Sequence, residues 1–133
     1  MLNRLSPLLF ALLVWGAFPC PALTVTNLTC NGRTNPFGIG TNDISFGWAS
    51  IASERGVVQS AYQIRVGTTT GSADAWDSGL VFTNRQTDVP LPAGILLSSA
   101  QRYFWQVRVR DGNAVTSNWS EAAWFETGLL TTA

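Results

Sequence analysis

The side chains that perform most enzyme chemistry are nearly absent from this sequence of 133 residues. It contains neither histidine nor lysine, and its only cysteines are Cys20 and Cys30. These absences exclude a Ser–His or Cys–His nucleophile pair and also exclude lysine chemistry. A zinc site needs a cluster of His or Cys ligands, which this composition cannot supply. We therefore predict no metal site and no cofactor.

Two carboxylates acting across a sugar-sized cleft are the remaining catalytic possibility. The candidates beyond the N-terminal segment are Asp43, Glu54, Asp74, Asp77, Asp88, Asp111, Glu121 and Glu126. Most of them fall at predicted turns or strand ends, where a carboxylate caps nearby backbone N–H groups. A domain of this size uses its apolar residues for one thin core and has few left to wall a cleft. The sequence therefore disfavours a small enzyme.

The charge balance argues against a nucleic-acid partner. Eight arginines offset eight carboxylates, and the formal net charge is zero. Binding to phosphate backbones depends on a basic excess or a cluster of Lys and Arg, and the sequence has neither.

The first 22 residues have the pattern of a cleaved signal peptide. Arg4 gives a positive start, and residues 8–18 form an apolar run that is too short to span a bilayer. Cleavage is predicted after Ala22, although Cys20 leaves open a lipid-anchored cysteine. We expect a secreted or periplasmic domain at 23–130, a short tail at 131–133, and no membrane association after cleavage. Cys30, the one cysteine left, is predicted to be a small buried hydrophobe.

Short alternating segments between turn-forming clusters indicate an all-β protein. Seven strands are predicted, at 23–30, 43–49, 61–68, 78–83, 86–92, 102–110 and 122–130. Turn signals recur every 8–12 residues, which is typical of a β-sandwich. Beyond the signal peptide, no window keeps a helical period.

The segment "YFWQVRVRDG" assigns side chains to the two faces of one strand. Tyr103 and Trp105 alternate toward the core, which places Phe104, Arg108 and Arg110 on the outer face. Trp124 points opposite to Phe125, which we place in the core. Phe104, Arg108, Arg110 and Trp124 are therefore the candidate interaction face, because grouped exposed aromatics tend to mark an interface. The alternative is that the arginine stems simply cover the rings.

The spacing around Tyr103 resembles that of fibronectin type III domains. Leu97 precedes Tyr103 by six residues, as at the corner where a Tyr hydroxyl bonds to upstream backbone. Trp48 occupies the place of the core tryptophan in those domains. The segment "SNWS" at 117–120 is similar to the Trp-Ser boxes of some members, in which strand arginines stack on aromatic rings. The resemblance makes Arg108 and Arg110 the matching arginines, in a cation–π arrangement.

The mature chain as a whole resembles the N-terminal immunoglobulin/fibronectin-like domain of bacterial α-L-rhamnosidases, glycoside hydrolase family 78. The resemblance rests on "NPFGI" at 35–39, on "WDSG" at 76–79 and more loosely on "YFWQVRVRD", and it runs from Leu23 to Leu130. Family members often carry Asp after the first of these motifs, where this chain has Gly40. In the family, an (α/α)6 barrel further along the polypeptide carries the acidic residues that cleave terminal α-L-rhamnose. The resemblance therefore assigns no catalytic residue to this chain.

Two functional hypotheses follow from the resemblance. The chain is either the non-catalytic N-terminal module of a rhamnosidase, truncated or detached here, or a stand-alone secreted module that binds a carbohydrate or a protein. The expected partners are the neighbouring domains of a rhamnosidase or a rhamnose-containing glycan. Fold alone does not decide between the two, because sandwiches of this kind host many roles.

Overall fold

The computed structural model describes residues 21–41 and 43–129, which contain seven β-strands. In chain order they are β1 (Leu23–Cys30), β2 (Ser45–Ala52), β3 (Gln59–Gly67), β4 (Trp76–Asp77), β5 (Val89–Pro90), β6 (Arg102–Asp111) and β7 (Ala123–Glu126). All but the last two residues of the predicted signal peptide lie outside the described residues, and so does the tail at 131–133. Within the described ranges, no helix is long and apolar enough to cross a membrane.

Two antiparallel sheets face each other in the fold. The smaller sheet has the strand order β1-β2-β5, and the larger sheet has the order β4-β3-β6-β7. Every pair of neighbouring strands runs antiparallel. This arrangement confirms the predicted all-β fold, a seven-stranded immunoglobulin/fibronectin type III-like sandwich.

The core lies between the sheets and follows the alternation of β6. Tyr103, Trp105, Val107 and Val109 are buried, whereas the residues between them are partly exposed. From the facing sheet, the ring of Phe46 lies 4.6 Å from the ring of Trp105, centroid to centroid. Each large apolar side chain that is fully buried stabilises the fold by about 1.5–3 kcal/mol. The predicted inward face of this strand is therefore confirmed.

The predicted strand at 78–83 is reduced to a single bridge, because a turn after β4 interrupts the pairing with β3 and only Val81 resumes it, through two backbone bonds with Tyr62 at 2.9 Å. The carboxylate of Asp77 accepts a hydrogen bond from the N–H of Gly79 at 2.8 Å, and Gly79 has a φ of 65°. The hydroxyl of Ser78 accepts a hydrogen bond from the N–H of Ile64 at 2.8 Å. In a regular ladder, a backbone carbonyl of the neighbouring strand would accept this bond. The "WDSG" motif therefore interrupts the pairing with β3 after Asp77, and the pairing returns only at Val81.

Two other predicted strands are shorter than expected. The segment at 86–92 keeps only β5, because Pro90 and Pro92 have no N–H to donate to a ladder. Within the described part of the segment at 122–130, β7 is the only strand.

Cys30 occupies the end of β1 in the interior. The side chain is buried, and burial raises the pKa of its thiol to about 12. The thiol is therefore protonated at neutral pH and unreactive as a nucleophile. This confirms its predicted role as a small buried hydrophobe.

The hydroxyl of Tyr103 closes the corner that precedes β6. It accepts a hydrogen bond from the N–H of Ser98 at 2.7 Å. The bond runs to backbone five residues upstream, as the resemblance to fibronectin type III domains implies. Tyr103 therefore anchors both the core, through its ring, and the loop before β6, through its hydroxyl.

Tyr103→Phe is expected to lower the free energy of unfolding by about 1 kcal/mol. An unpaired buried donor costs about 1–3 kcal/mol, and the lower end applies because Ser98 is exposed and its N–H can bind water. Urea unfolding of the mature domain measures the difference. Tyr62→Phe is the control, because Tyr62 is also buried but its hydroxyl has no hydrogen-bond partner within the described residues. Equal losses in the two variants would contradict a stabilising role for the corner bond.

Candidate functional site

Besides Asp77, two of the candidate catalytic carboxylates cap turns. Asp74 accepts hydrogen bonds from the hydroxyl and the N–H of Thr68, at 2.7 and 2.8 Å, and from the hydroxyl of Ser72 at 2.9 Å. These bonds, that from the Thr68 hydroxyl foremost, lower the pKa of Asp74 and favour its ionised form. Asp111 is buried and accepts bonds from the N–H groups of Asn113 and Val115, at 2.8 and 3.0 Å. Both carboxylates therefore stabilise loops.

A shallow groove of about 470 Å³ lies along β1. Its lining comprises residues 24–28, 34–35, 51 and 121–123. Glu121 is the single carboxylate in this lining, so the groove lacks the pair that glycoside cleavage requires. In the part of the chain that the structure describes, no group of three His, Cys, Asp or Glu side chains is placed to hold a metal ion.

The four residues of the candidate interaction face lie on the outer surface of the larger sheet. Phe104, Arg108 and Arg110 occupy alternate positions of β6, and Trp124 of β7 is paired with Phe104 in the ladder. All four are partly buried. Arg110 lies six positions after Phe104, which corresponds to about 20 Å along a strand. All four residues therefore lie on the same face of the sheet, as predicted, but they belong to separate groups on that face.

The middle group surrounds Trp119. The guanidinium carbons of Arg65 and Arg108 lie 4.0 and 4.5 Å from its ring centroid, which is cation–π geometry. The amide oxygen of Gln106 accepts two hydrogen bonds from Arg65, and that of Gln63 accepts two from Arg108. Each arginine is thus hydrogen-bonded to a neutral glutamine across β3 and β6, and neither forms an ion pair with a carboxylate of the described residues.

The "SNWS" segment owes its position to its two serines. The hydroxyl of Ser117 accepts a hydrogen bond from the N–H of Val109 at 3.0 Å, and that of Ser120 accepts one from Val107 at 3.1 Å. The serines thus continue the ladder along β6 with side-chain oxygens, and Trp119 lies between them in sequence. Arg108 stacks as the resemblance implies. Arg110 also makes a cation–π contact, but with another ring: its guanidinium carbon lies over Phe82, 5.8 Å from the ring centroid.

A second group lies where β7 ends. The guanidinium carbon of Arg102 is 3.8 Å from the ring centroid of Trp124, and the ring of Phe37 meets Trp124 edge-on at 5.0 Å. Arg102 also forms an ion pair with Glu126 at 3.1 Å, the only ion pair within residues 21–41 and 43–129. Phe37 is 67% exposed. This second group therefore consists of an exposed aromatic ring, Phe37, beside an arginine whose charge is neutralised by an ion pair.

The "NPFGI" motif covers the free edge of β7. The side-chain oxygen of Asn35 accepts from the N–H of Trp124 at 2.9 Å, and the carbonyl of Pro36 accepts from Glu126 at 3.0 Å. Ile39 donates to the carbonyl of Glu126 at 3.1 Å. An uncovered edge strand is a template for aggregation, and this motif removes most of that exposure. Gly40, where the family often has Asp, has open space around its Cβ position.

Sequence reasoning missed Arg65, Arg102 and Phe37 as members of the outer face. Arg65 alternates with the inward Ile64 and Val66 of β3, so the same period-two pattern was sufficient to find it. Phe37 belongs to a loop with no periodicity, and only the long-range bonds to β7 place it. The assignment of Phe104, Arg108, Arg110 and Trp124 to an interaction stays a prediction.

Comparison with known proteins agrees with this architecture. Residues 25–131 match the model of a family described as the Rha78A-like, N-terminal immunoglobulin domain. An α-L-rhamnosidase of Streptomyces avermitilis is 38% identical over 112 residues, which is 82% of this chain but 11% of that relative. An α-L-rhamnosidase of Formosa agariphila is 33% identical over 141 residues, covering 96% of this chain and 15% of its own length.

A solved structure gives the same result in three dimensions. The crystal structure of the Streptomyces avermitilis α-L-rhamnosidase complexed with L-rhamnose superposes with a TM-score of 0.75 at 34% identity, covering 80% of this chain and 11% of that one. The chain thus spans only 11–15% of the curated relatives it matches. The two-sheet topology, the corner formed by Tyr103 and the match over residues 25–131 agree, and the chain belongs to the family of Rha78A-like N-terminal immunoglobulin domains found in α-L-rhamnosidases.

Proposed function

We propose that this chain acts as the non-catalytic N-terminal module of an exported α-L-rhamnosidase whose other domains cleave terminal α-L-rhamnose. The proposal rests on how much of this chain, and how little of each relative, the similarity covers. The similarity extends over 82–96% of this chain but over 11–15% of the two rhamnosidases. The role that fits such a module is to pack against its neighbours and stabilise them.

The chemistry of the described residues supports a role without catalysis. The sequence contains no histidine or lysine, and burial keeps the thiol of Cys30 protonated. Asp74 and Asp111 cap turns, and Glu126 is paired with Arg102. The groove along β1 has one carboxylate, whereas inverting or retaining glycosidases need two at a defined separation.

Export is supported by the sequence. The positive Arg4 and the apolar run at 8–18 have the order that signal peptides require. We accordingly place the mature module outside the cytoplasm, secreted or periplasmic.

A rhamnose-containing glycan is the second partner that we consider. Phe37 and Trp124 present two aromatic rings at one edge of the sheet, and aromatic rings are suited to stacking against sugars. Arg102 already lies against the Trp124 ring at 3.8 Å, which reduces the area left for a ligand. We therefore place neighbouring domains first and a glycan second.

The purified mature chain is expected to release no rhamnose from aryl rhamnosides or rhamnosylated flavonoids. Product formation is measured against a buffer blank, with the Streptomyces avermitilis α-L-rhamnosidase as the positive control. Turnover above the blank that disappears in Glu121→Gln, the groove's only carboxylate, would contradict the proposal.

A further inference from the structure

We propose that the exposed surface formed by Phe37, Arg102 and Trp124, here called the exit patch, is the docking site for the domain that follows this one in the full-length enzyme. The inference rests on the proposed function and adds to it a location and a surface chemistry. It assigns the docking contact to the end of β7 and not to the middle of the sheet around Trp119.

The exit patch is apolar and electrically neutral. Phe37 is 67% exposed and its ring lies 5.0 Å from that of Trp124, so the two rings form a contiguous apolar surface and not a single exposed side chain. The charge of Arg102 is neutralised by Glu126 at 3.1 Å and is placed over Trp124 at 3.8 Å. A complementary surface must therefore be apolar as well, with a depression that accepts the ring of Phe37.

Backbone hydrogen bonds hold Phe37 in an outward position. Its neighbour Pro36 accepts from the N–H of Glu126 at 3.0 Å, and Ile39 accepts from the N–H of Gly128 at 3.1 Å. Between them, Gly38 has a φ of 66°, a conformation that glycine adopts without strain. The bonds fix both ends of the loop, so little conformational entropy is lost when the ring is buried by a partner. The exit patch is therefore preorganised for binding.

The position of the patch selects the following domain as its occupant. After β7 the backbone passes directly over the loop that carries Phe37, since a Cβ on Gly128 would lie 3.1 Å from the carbonyl oxygen of Gly38. In an N-terminal domain, the next domain is attached at this end of β7. A short connection gives an attached surface a very high effective concentration at the nearest apolar patch. In the two relatives, 85–89% of the polypeptide lies outside the matched region, so there is ample chain to supply that surface.

The chain provides a matched control on the same face. Phe82 is 71% exposed, close to the value for Phe37, and it lies beside Arg110 near the opposite end of β6 from Arg102. The two phenylalanines therefore differ in position but not in type or exposure. Any general change in solvent access or stability affects both, whereas docking at the exit patch affects Phe37 alone.

The first test compares this chain alone with a graft in which its residues 23–129 replace the matched N-terminal domain of the Streptomyces avermitilis enzyme. Hydroxyl-radical oxidation followed by mass spectrometry measures the exposure of each ring. We expect Phe37 to be oxidised rapidly in the free chain and slowly in the graft, with Phe82 oxidised equally in both. Protection of a different surface, such as Trp119, with Phe37 unprotected would overturn the exit patch and leave the proposed function intact. No protection anywhere in the grafted domain would overturn both.

The second test uses variants of the graft and measures the rate of proteolysis at the junction after residue 129. Truncating an aromatic side chain at the centre of an interface commonly weakens binding about tenfold or more. Phe37→Ser is therefore expected to speed cleavage of the junction by about the same factor, because cleavage tracks the undocked population. Phe82→Ser should leave the rate unchanged. Equal rates for the parent and Phe37→Ser would overturn the proposal.

Two other occupants give different results in the free chain. If a rhamnose-containing oligosaccharide protects Phe37 from oxidation and Trp124→Ala abolishes the effect, the patch binds a glycan and the docking proposal is wrong. If protection of Phe37 rises with the concentration of the free chain and persists in the graft only at high concentration, the occupant is a second copy, and the proposal is again wrong.

Discussion

Replacing Trp105 with alanine is expected to lower the free energy of unfolding of the mature domain by about 3–5 kcal/mol. The indole is 1% exposed and lies 4.6 Å, ring to ring, from Phe46 of the facing sheet. Its strand partner is Val66 of β3, which is also fully buried. Among the described residues, the substitution removes the largest fully buried side chain, and it leaves a cavity that the surrounding sheets close only in part. Such a loss is a large share of the ~5–15 kcal/mol that stabilises a typical domain.

Phe104→Ala is the matched control for this substitution. Phe104 is the adjacent residue of β6 but lies on the outer face and is only partly buried. We expect a much smaller loss there, because water already contacts part of the ring. Urea unfolding at one temperature compares the two variants, and an unchanged slope confirms that the comparison is between like transitions. A Phe104→Ala loss as large as that of Trp105→Ala would mean that the inward face is displaced by one residue, since such a slip reverses every side chain.

The sequence was sufficient to predict the sandwich because its core positions repeat with a period of two. Tyr103, Trp105 and Val107 follow that pattern in β6, and Ile64 and Val66 follow it in β3. The period assigns faces without knowledge of the partner strands, so the outward positions of Arg108 and Phe104 were also predictable. The corner formed by Tyr103 was predictable from the resemblance to fibronectin type III domains, because it depends on a short spacing in the sequence.

The sequence was insufficient wherever a side chain takes the place of a backbone partner. Ser78, Ser117 and Ser120 accept ladder bonds through their hydroxyls, so strands end where the β-propensity of the sequence continues. The bond from Trp124 to Asn35 joins residues 89 positions apart, and no local pattern encodes such a contact. The position of Phe37 depends on such long-range contacts, which explains why Phe37 was not among the predicted residues, whereas Arg102 shares the outward period of Phe104 and was predictable.

The side chain of Gln59 also makes hydrogen bonds to residues distant in sequence. Gln59→Leu is expected to lower the free energy of unfolding by about 2–4 kcal/mol. Its amide oxygen accepts from the indole N–H of Trp48 at 3.1 Å, and its amide nitrogen donates to the carbonyls of Thr83 and Arg85 at 3.1 and 3.0 Å. Both Gln59 and Trp48 are buried. Leucine fills a similar volume but leaves the indole donor unpaired in the interior and the two carbonyls only partly hydrated, at about 1–3 kcal/mol for each buried group.

The bonds of Gln59 also locate the effect within the fold. Thr83 and Arg85 belong to the segment between β4 and β5. Val81 bonds the backbone of Tyr62, and the part at 83–86 is held to the sandwich by the bonds of Gln59 and by the bond from the Trp48 N–H to the carbonyl of Gln86 at 3.0 Å. Hydrogen exchange should therefore show faster exchange across residues 83–86 in Gln59→Leu, in addition to the global loss measured by urea unfolding. Gln63→Leu is the control: its amide bonds Arg108 and Asp77 on the outer face, where water can replace them, so the expected loss is small. If the two variants are equally stable, the buried amide of Gln59 is not what holds this strandless segment in place.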